Sequence, residues 1–203
     1  MKTIKSILAW AGLIVTFAAL SGCASGLMRD APTQQISPAD AGKAKIVFMR
    51  SSFVASAIGC EVFEVVNGEL RFIGQLPTGN KIVFETTPGQ KVFMAYGTAA
   101  DFMLANVVGG KTYYSIVRPN WGTGGFAPTP IRASGSTETS IKSKEFQGWL
   151  TGTKLIEPTE GAAAWFSENK ARLQDIYKSY WSRFEGKTAQ EKAERTLMPQ
   201  DGI

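Results

Sequence analysis
Histidine is absent from the 203 residues. That excludes His-based catalytic triads, His-containing zinc sites and the commonest general base near neutral pH. Cysteine is nearly absent too: Cys23 and Cys60 are the only two, too few for a disulfide framework. Acidic clusters with calcium-ligand spacing and carboxylate pairs of catalytic spacing are missing, so the sequence implies no metal and no cofactor. Charge of one sign is scarce as well, with 22 Lys and Arg against 17 Asp and Glu. So mild an excess does not argue for nucleic acid as a partner. Beyond residue 20 there is no long apolar run.

What is present begins at the N-terminus. Lys2 and Lys5 form a positive segment, Ile7 to Ala19 is uncharged and mostly apolar, and Leu20-Ser21-Gly22-Cys23 closes the run. This has the form of a secretory signal ending in a lipobox, the site for thioether lipidation of Cys23 and cleavage between Gly22 and Cys23. Thirteen apolar residues fall short of the roughly 20 needed to cross a bilayer as a helix. Lys2 and Lys5 leave with residues 1–22, so the remaining 181 residues carry 20 basic against 17 acidic side chains. If Cys23 carries lipid, Cys60 has no bridge partner, and its alternation with Val62 predicts a buried, inert thiol. Residue 24 is Ala rather than Asp, which resembles the preference for outer-membrane sorting in Gram-negative envelopes. The implied address is the periplasm-facing surface of the outer membrane, with the lipid as the membrane contact.

Residues 23–42 mix small, polar and Pro residues with little periodicity and read as a flexible lipidated tether. From Lys43 the apolar period becomes two. Strands are predicted over 43–50, 60–66, 69–74, 81–86, 91–96, 101–108 and 111–118, with a short one near 130–133. Asn67-Gly68 has the signature of a type I′ hairpin, and Pro88-Gly89 that of a type II turn. Residues 119–130 read as a Gly/Pro loop. Seven or eight short strands between turn signals predict an antiparallel β-sandwich over 43–143. A helical extension is predicted over 144–203: a turn at 144–150 burying Phe146 and Trp149, a long helix opening at Thr159 and stopping at Gly186, and a short helix from the capping box Thr188-Ala-Gln-Glu191. The fold class is therefore mainly β with C-terminal helices.

Several of these segments resemble an uncharacterised family of bacterial envelope lipoproteins. The residues that carry the likeness are Lys45-Ile-Val-Phe-Met-Arg50, the following Ser51-Ser-Phe-Val-Ala-Ser-Ala57 loop, the Pro88-Gly89 turn and Gly110-Lys-Thr-Tyr-Tyr114. Members commonly have Pro after the opening Arg, where this chain has Ser51. The resemblance implies the fold and the address but no activity.

Two groups of side chains are candidate sites. Arg50 and Arg118 end strands beside loops of small and hydroxyl residues. If both ends share one rim, Arg50, Ser51, Ser52, Ser56, Arg118 and Trp121 line a shallow pocket, with Arg as a fork for carboxylate or phosphate and Trp as a platform for a sugar ring or peptide. The competing reading has each Arg tying its loop to backbone carbonyls. The aromatic stripe of the long helix, including Trp165, Tyr177 and Trp181, either packs across an open sheet face or meets a partner. Gly122-Thr-Gly-Gly125 lacks the Gly-Lys-Ser/Thr close of a phosphate loop. Ser167-Glu-Asn-Lys170 has Ser-x-x-Lys spacing, but the accompanying Ser-Asp-Asn and Lys-Thr-Gly elements are missing. These features predict a non-enzymatic envelope binding or accessory module. The alternatives are a hydrolase acting on envelope glycans or peptides through Arg50, Ser52 and Trp121, and a structural subunit docking by its aromatic helix onto another envelope protein.

Overall fold
In the computed structural model, which describes residues 26–122 and 124–203, eleven strands form two sheets. The six-stranded sheet has the order β1 (Met28–Asp30), β10 (Lys154–Pro158), β5 (Asn80–Thr86), β2 (Ala44–Arg50), β8 (Thr112–Asn120) and β9 (Gly125–Pro130). The five-stranded sheet has the order β11 (Thr196–Leu197), β7 (Ala100–Val107), β6 (Gly89–Tyr96), β3 (Glu61–Val66) and β4 (Glu69–Gln75). The mainly β class and the two-sheet sandwich follow the sequence expectation. The purely antiparallel pairing does not: β2–β8, β10–β5 and β11–β7 are parallel, and the strands number more than seven or eight.

Alternation explains the layers. Ile46 and Phe48 of β2, Tyr113 and Val117 of β8, and Phe93 and Ala95 of β6 meet between the sheets in the central core. The opposite parity of β2 and β8, Val47, Met49, Tyr114 and Ile116, faces outward and would be exposed without a cover. Helix α1 (Lys144–Gly152) supplies it with Phe146, whose ring lies 5.1 Å from Tyr114, while Trp149 is half-buried at its margin. Ser143 caps α1 by accepting from Phe146 N–H, and buried Lys81 donates to the carbonyls of Leu150 (2.8 Å) and Thr153 (2.6 Å) at its C-terminal end. Over the other sheet lies α2 (Glu160–Glu185), whose Leu173, Tyr177 and Phe184 pack on Phe63, Leu70 and Phe102. The result is four layers, helix on sheet on sheet on helix.

The turn chemistry holds locally. Asn67 (φ +51°) and Gly68 (φ +80°) both occupy the left-handed region that the β3–β4 hairpin demands. Thr188 and Glu191 form the reciprocal capping box of α3 (Ala189–Glu194). Thr159 stands at the N-cap of α2, but its hydroxyl donates to Gly26 O instead of capping the helix.

Three expectations are corrected. Residues 26–42 are not a free tether. β1 pairs with β10, Thr159 N–H donates to Leu27 O at 2.9 Å, Ile36 packs under α1, and Lys45 Nζ binds Ser37 Oγ at 2.7 Å. The segment has too few apolar residues to show a period, yet its backbone groups complete a sheet edge. Residues 119–130 are not one loop, because 125–130 form β9. Its prolines are tolerated because β9 is an edge strand with β8 as its one neighbour. Residues 144–203 carry the expected helices, including the long one over Glu160–Glu185, but they are not an appendage to the sandwich. They place β10 in one sheet and β11 in the other, and Ile203 exchanges two backbone hydrogen bonds with Thr112. The expected signal segment 1–22 and the expected cleavage and lipidation site at Gly22–Cys23 lie outside the described residues. Among the described residues no helix is long and apolar enough to cross a membrane.

Candidate functional site
The parallel pairing of β2 with β8 brings the ends of both strands, and hence Arg50 and Arg118, to one end of the sandwich. Strand parity then separates the two side chains. Arg50 shares the face of Ile46 and Phe48 and points into the central core, whereas Arg118 shares the outer face of Tyr114 and Ile116.

Arg50 is fully buried. Its Nη1 donates to Ile58 O (2.9 Å) and Leu76 O (3.0 Å), and its Nη2 to Ala55 O (2.7 Å). The guanidinium lies 4.2 Å above the Phe126 ring, a cation–π contact in a desolvated setting. Burial pulls its pKa below the ordinary value, partly offset by the field of Cys60 and Glu61. Arg50 is thus the internal strut of the 51–59 loop rather than a ligand group, which is the loop-tying reading of the sequence. Ala55, whose carbonyl takes one of these bonds, sits at φ +56°, a region non-glycine residues seldom occupy.

Outside this strut lies an open cleft of about 490 Å³. Ser52 and Val54 come from the 51–59 loop, Arg118, Asn120 and Trp121 from the end of β8, Ala127 and Thr129 from β9, and Arg195 from beyond α3. Of the six residues the sequence groups, Ser52, Arg118 and Trp121 meet here; Ser51 and Ser56 are exposed on the loop and do not line it. Trp121 is 81% exposed; Val54 (49%) lines the cleft with it, and Phe53 (88%) is the exposed residue between Ser52 and Val54. Phe53 and Trp121 are the two most exposed large apolar side chains among the described residues.

Electrostatically the cleft holds two cations with assigned partners. Arg118 pairs with Glu138. Arg195 Nη2 lies 3.2 Å from Asp101 Oδ2, which also accepts from Asn120 Nδ2 at 2.7 Å. Arg195 Nη1 is buried and finds no acceptor among the described residues. Its hydrogen-bonding capacity is unspent, but the atom is covered, so what the cleft wall presents is the positive charge of the partly exposed Arg118 and Arg195 side chains. Gly125 lets the β8–β9 turn close over this corner, since a Cβ there would sit 2.2 Å from Ala99 O. Arg195 escapes a sequence reading because it follows a short polar helix and reaches the cleft only when the chain returns beside β7, where Leu104 N–H donates to Arg195 O.

The other candidates resolve differently. Trp165, Tyr177 and Trp181 cover the five-stranded sheet. Trp165 lies 5.3 Å from Phe72, and Tyr177 and Trp181 lie 6.0 and 5.1 Å from Phe102. Their apolar faces are spent on that packing, so the helix stripe is not a free partner surface. Ser167 and Lys170 are exposed, and Lys170 pairs with Glu69 at 2.9 Å. Cys60 is buried and unbridged, its thiol pushed up to about 12 by desolvation. A second cleft at the end of α1 includes Lys81 and Lys154; Lys81 is committed to helix carbonyls, and Lys154 binds Asp30 at 2.6 Å. No protein-family model matches the sequence, and no curated protein is significantly similar to it.

Proposed function
We propose that the protein is a lipid-anchored module of the bacterial cell envelope that binds an acidic glycan at the loop rim without transforming it. The anchor reading is carried by Leu20-Ser21-Gly22-Cys23 behind a short basic and apolar leader. The binding reading is supported by the chemistry of the cleft. An exposed indole suits the face of a sugar ring, the Ser52 and Thr129 hydroxyls suit its oxygens, and the partly exposed Arg118 and Arg195 side chains supply positive charge for a carboxylate. A binding role accounts for these groups without a nucleophile–base pair.

Both halves are open to experiment. Cys23→Ser should move the protein from the membrane fraction to the soluble fraction and remove the acyl mass from the N-terminal peptide. Retention on membranes would refute the anchor. For the cleft, Trp121→Ala in the full-length protein should weaken binding to uronic-acid-containing envelope oligosaccharides by about tenfold, the loss of one stacking contact worth ~1 kcal/mol or more. Its melting temperature should stay unchanged, because the ring is exposed. Unchanged affinity would refute the glycan reading.

A further inference from the structure
The proposed anchor and the first described residue are very close in the chain. Only Ala24 and Ser25 separate Cys23 from Gly26, and Gly26 is already sewn to the body. Thr159 Oγ1 donates to Gly26 O and Thr159 N–H to Leu27 O. Ala31 N–H donates to Leu155 O at 3.0 Å, and Gln34 exchanges two hydrogen bonds with the Leu155 backbone at 2.7 and 3.1 Å. Ion pairs Arg29–Glu157 (2.8 Å) and Lys154–Asp30 (2.6 Å) flank the β1–β10 ladder. Three residue steps, even fully extended, reach about 10 Å.

Register shows which part of the body that leash holds. β1 is the edge of the six-stranded sheet, and it runs toward the Arg50 end: Met28 faces Pro158 and Asp30 faces Ile156, while Lys154 faces Asn80, which faces Arg50. The chain therefore enters at the end opposite the loop rim. Trp121, on the β8–β9 turn, is distant in both directions. It lies about 20 Å away along the strands, the length of seven-residue β2, and about 24 Å away across five strand spacings.

We infer that the acylated protein stands on the bilayer by the corner formed by β1 and the start of α2, with its rim cleft held away from that membrane. This rests on the proposal that Cys23 carries the lipid. A free tether would let every face visit the bilayer; a leash of about 10 Å does not. The ligand of the rim is consequently met in the aqueous compartment, not among the headgroups of the anchoring leaflet. At the corner Arg29 pairs with Glu157 and Asp30 with Lys154, and among the described residues no large apolar side chain is exposed there, so the lipid and not the corner's own affinity sets the contact.

The test places a fluorescent thiol label at Arg29→Cys or Trp121→Cys in the full-length acylated protein. Buried Cys60 stays unlabelled. The protein is reconstituted into vesicles of phosphatidylethanolamine and phosphatidylglycerol doped with headgroup-nitroxide lipid. Quenching at position 29 should exceed that at position 121 by roughly twofold or more, given a leash of about 10 Å against a separation of more than 20 Å. A Gly/Ser insertion of about 15 residues between Ser25 and Gly26 should erase the difference, since it extends the reach by about 50 Å. Equal quenching at both positions of the acylated parent, or stronger quenching at 121, overturns the inference while leaving the anchor intact. Absence of acyl mass on the N-terminal peptide overturns both.

Discussion
Arg50 carries a positive charge into the sandwich with no carboxylate within ion-pair distance among the described residues. Three carbonyls and one aromatic face replace the counter-ion. Removing the side chain orphans these acceptors, and each buried unsatisfied carbonyl costs ~1–3 kcal/mol. The acceptors at Ala55 and Ile58 lie in a loop that water can reach, so Arg50→Ala should destabilise by about 3 kcal/mol rather than their full sum. Arg50→Lys should recover little, since one ammonium cannot reproduce the planar fork. Urea unfolding midpoints measure the loss, and limited proteolysis should show new cleavage within 51–59. Cys60 makes the second prediction at this scale. A buried thiol raised to about 12 is almost wholly protonated at pH 8. It should resist a thiol reagent in the folded protein and react at once in denaturant; rapid labelling of native protein would contradict its burial. Position 60 was legible from its alternation with Val62. The facing of Arg50 was not, because adjacent strand ends can present side chains to opposite sides of one sheet, and only the pairing partner decides which side is the core.

Among the elements, α2 shows how a polar residue in a helix can matter more than its aromatic neighbours suggest. Gln174 is buried on the sheet-facing side. It accepts from Leu70 N–H at 3.2 Å and donates to Gly68 O at 2.5 Å. β4 is an edge strand, so these backbone groups have no further strand to bond. Gln174→Ala should cost roughly 1–3 kcal/mol, the range for leaving such groups unpaired beneath a helix. Gln174→Glu should not restore full stability, because a carboxylate accepts but cannot donate to Gly68 O. Thermal melts of the two variants check this. The helix, its start at Thr159 and its aromatic stripe were readable from period and spacing, although the Thr159 hydroxyl bonds Gly26 O and not the helix. That the stripe meets Phe63, Phe72 and Phe102 rather than another protein was not, since the sheet face it covers is assembled from three strands far away in sequence.

For the whole molecule, the C-terminal segment works as a clasp between layers. Arg132 binds Asp201 at 2.9 Å and donates to the carbonyls of Ala193, Glu194 and Thr196. Asp201 in turn accepts from Met198 N–H and Ala133 N–H. Truncation after Arg195 removes β11, the Asp201 network and the Ile203–Thr112 pair together. It should lower the melting temperature by more than Asp201→Asn, which leaves the backbone pairings in place; differential scanning calorimetry of both variants tests that order. By itself the sequence determined the features that neighbouring residues decide: the hairpin at Asn67–Gly68, the two-residue period of β2 to β8, the capping box of α3, and the lipobox pattern. Each depends on backbone dihedrals or side chains a few positions apart. Only the tertiary structure decided the parallel pairings, the sheet places of β1, β10 and β11, and the meeting of Ser52, Trp121 and Arg195 in one cleft. The physical reason is that these pairings join strands far apart in the chain, with no tight turn between them to announce the partner. The pairing energy lies in backbone groups every residue carries, so composition leaves no local mark of where it is used.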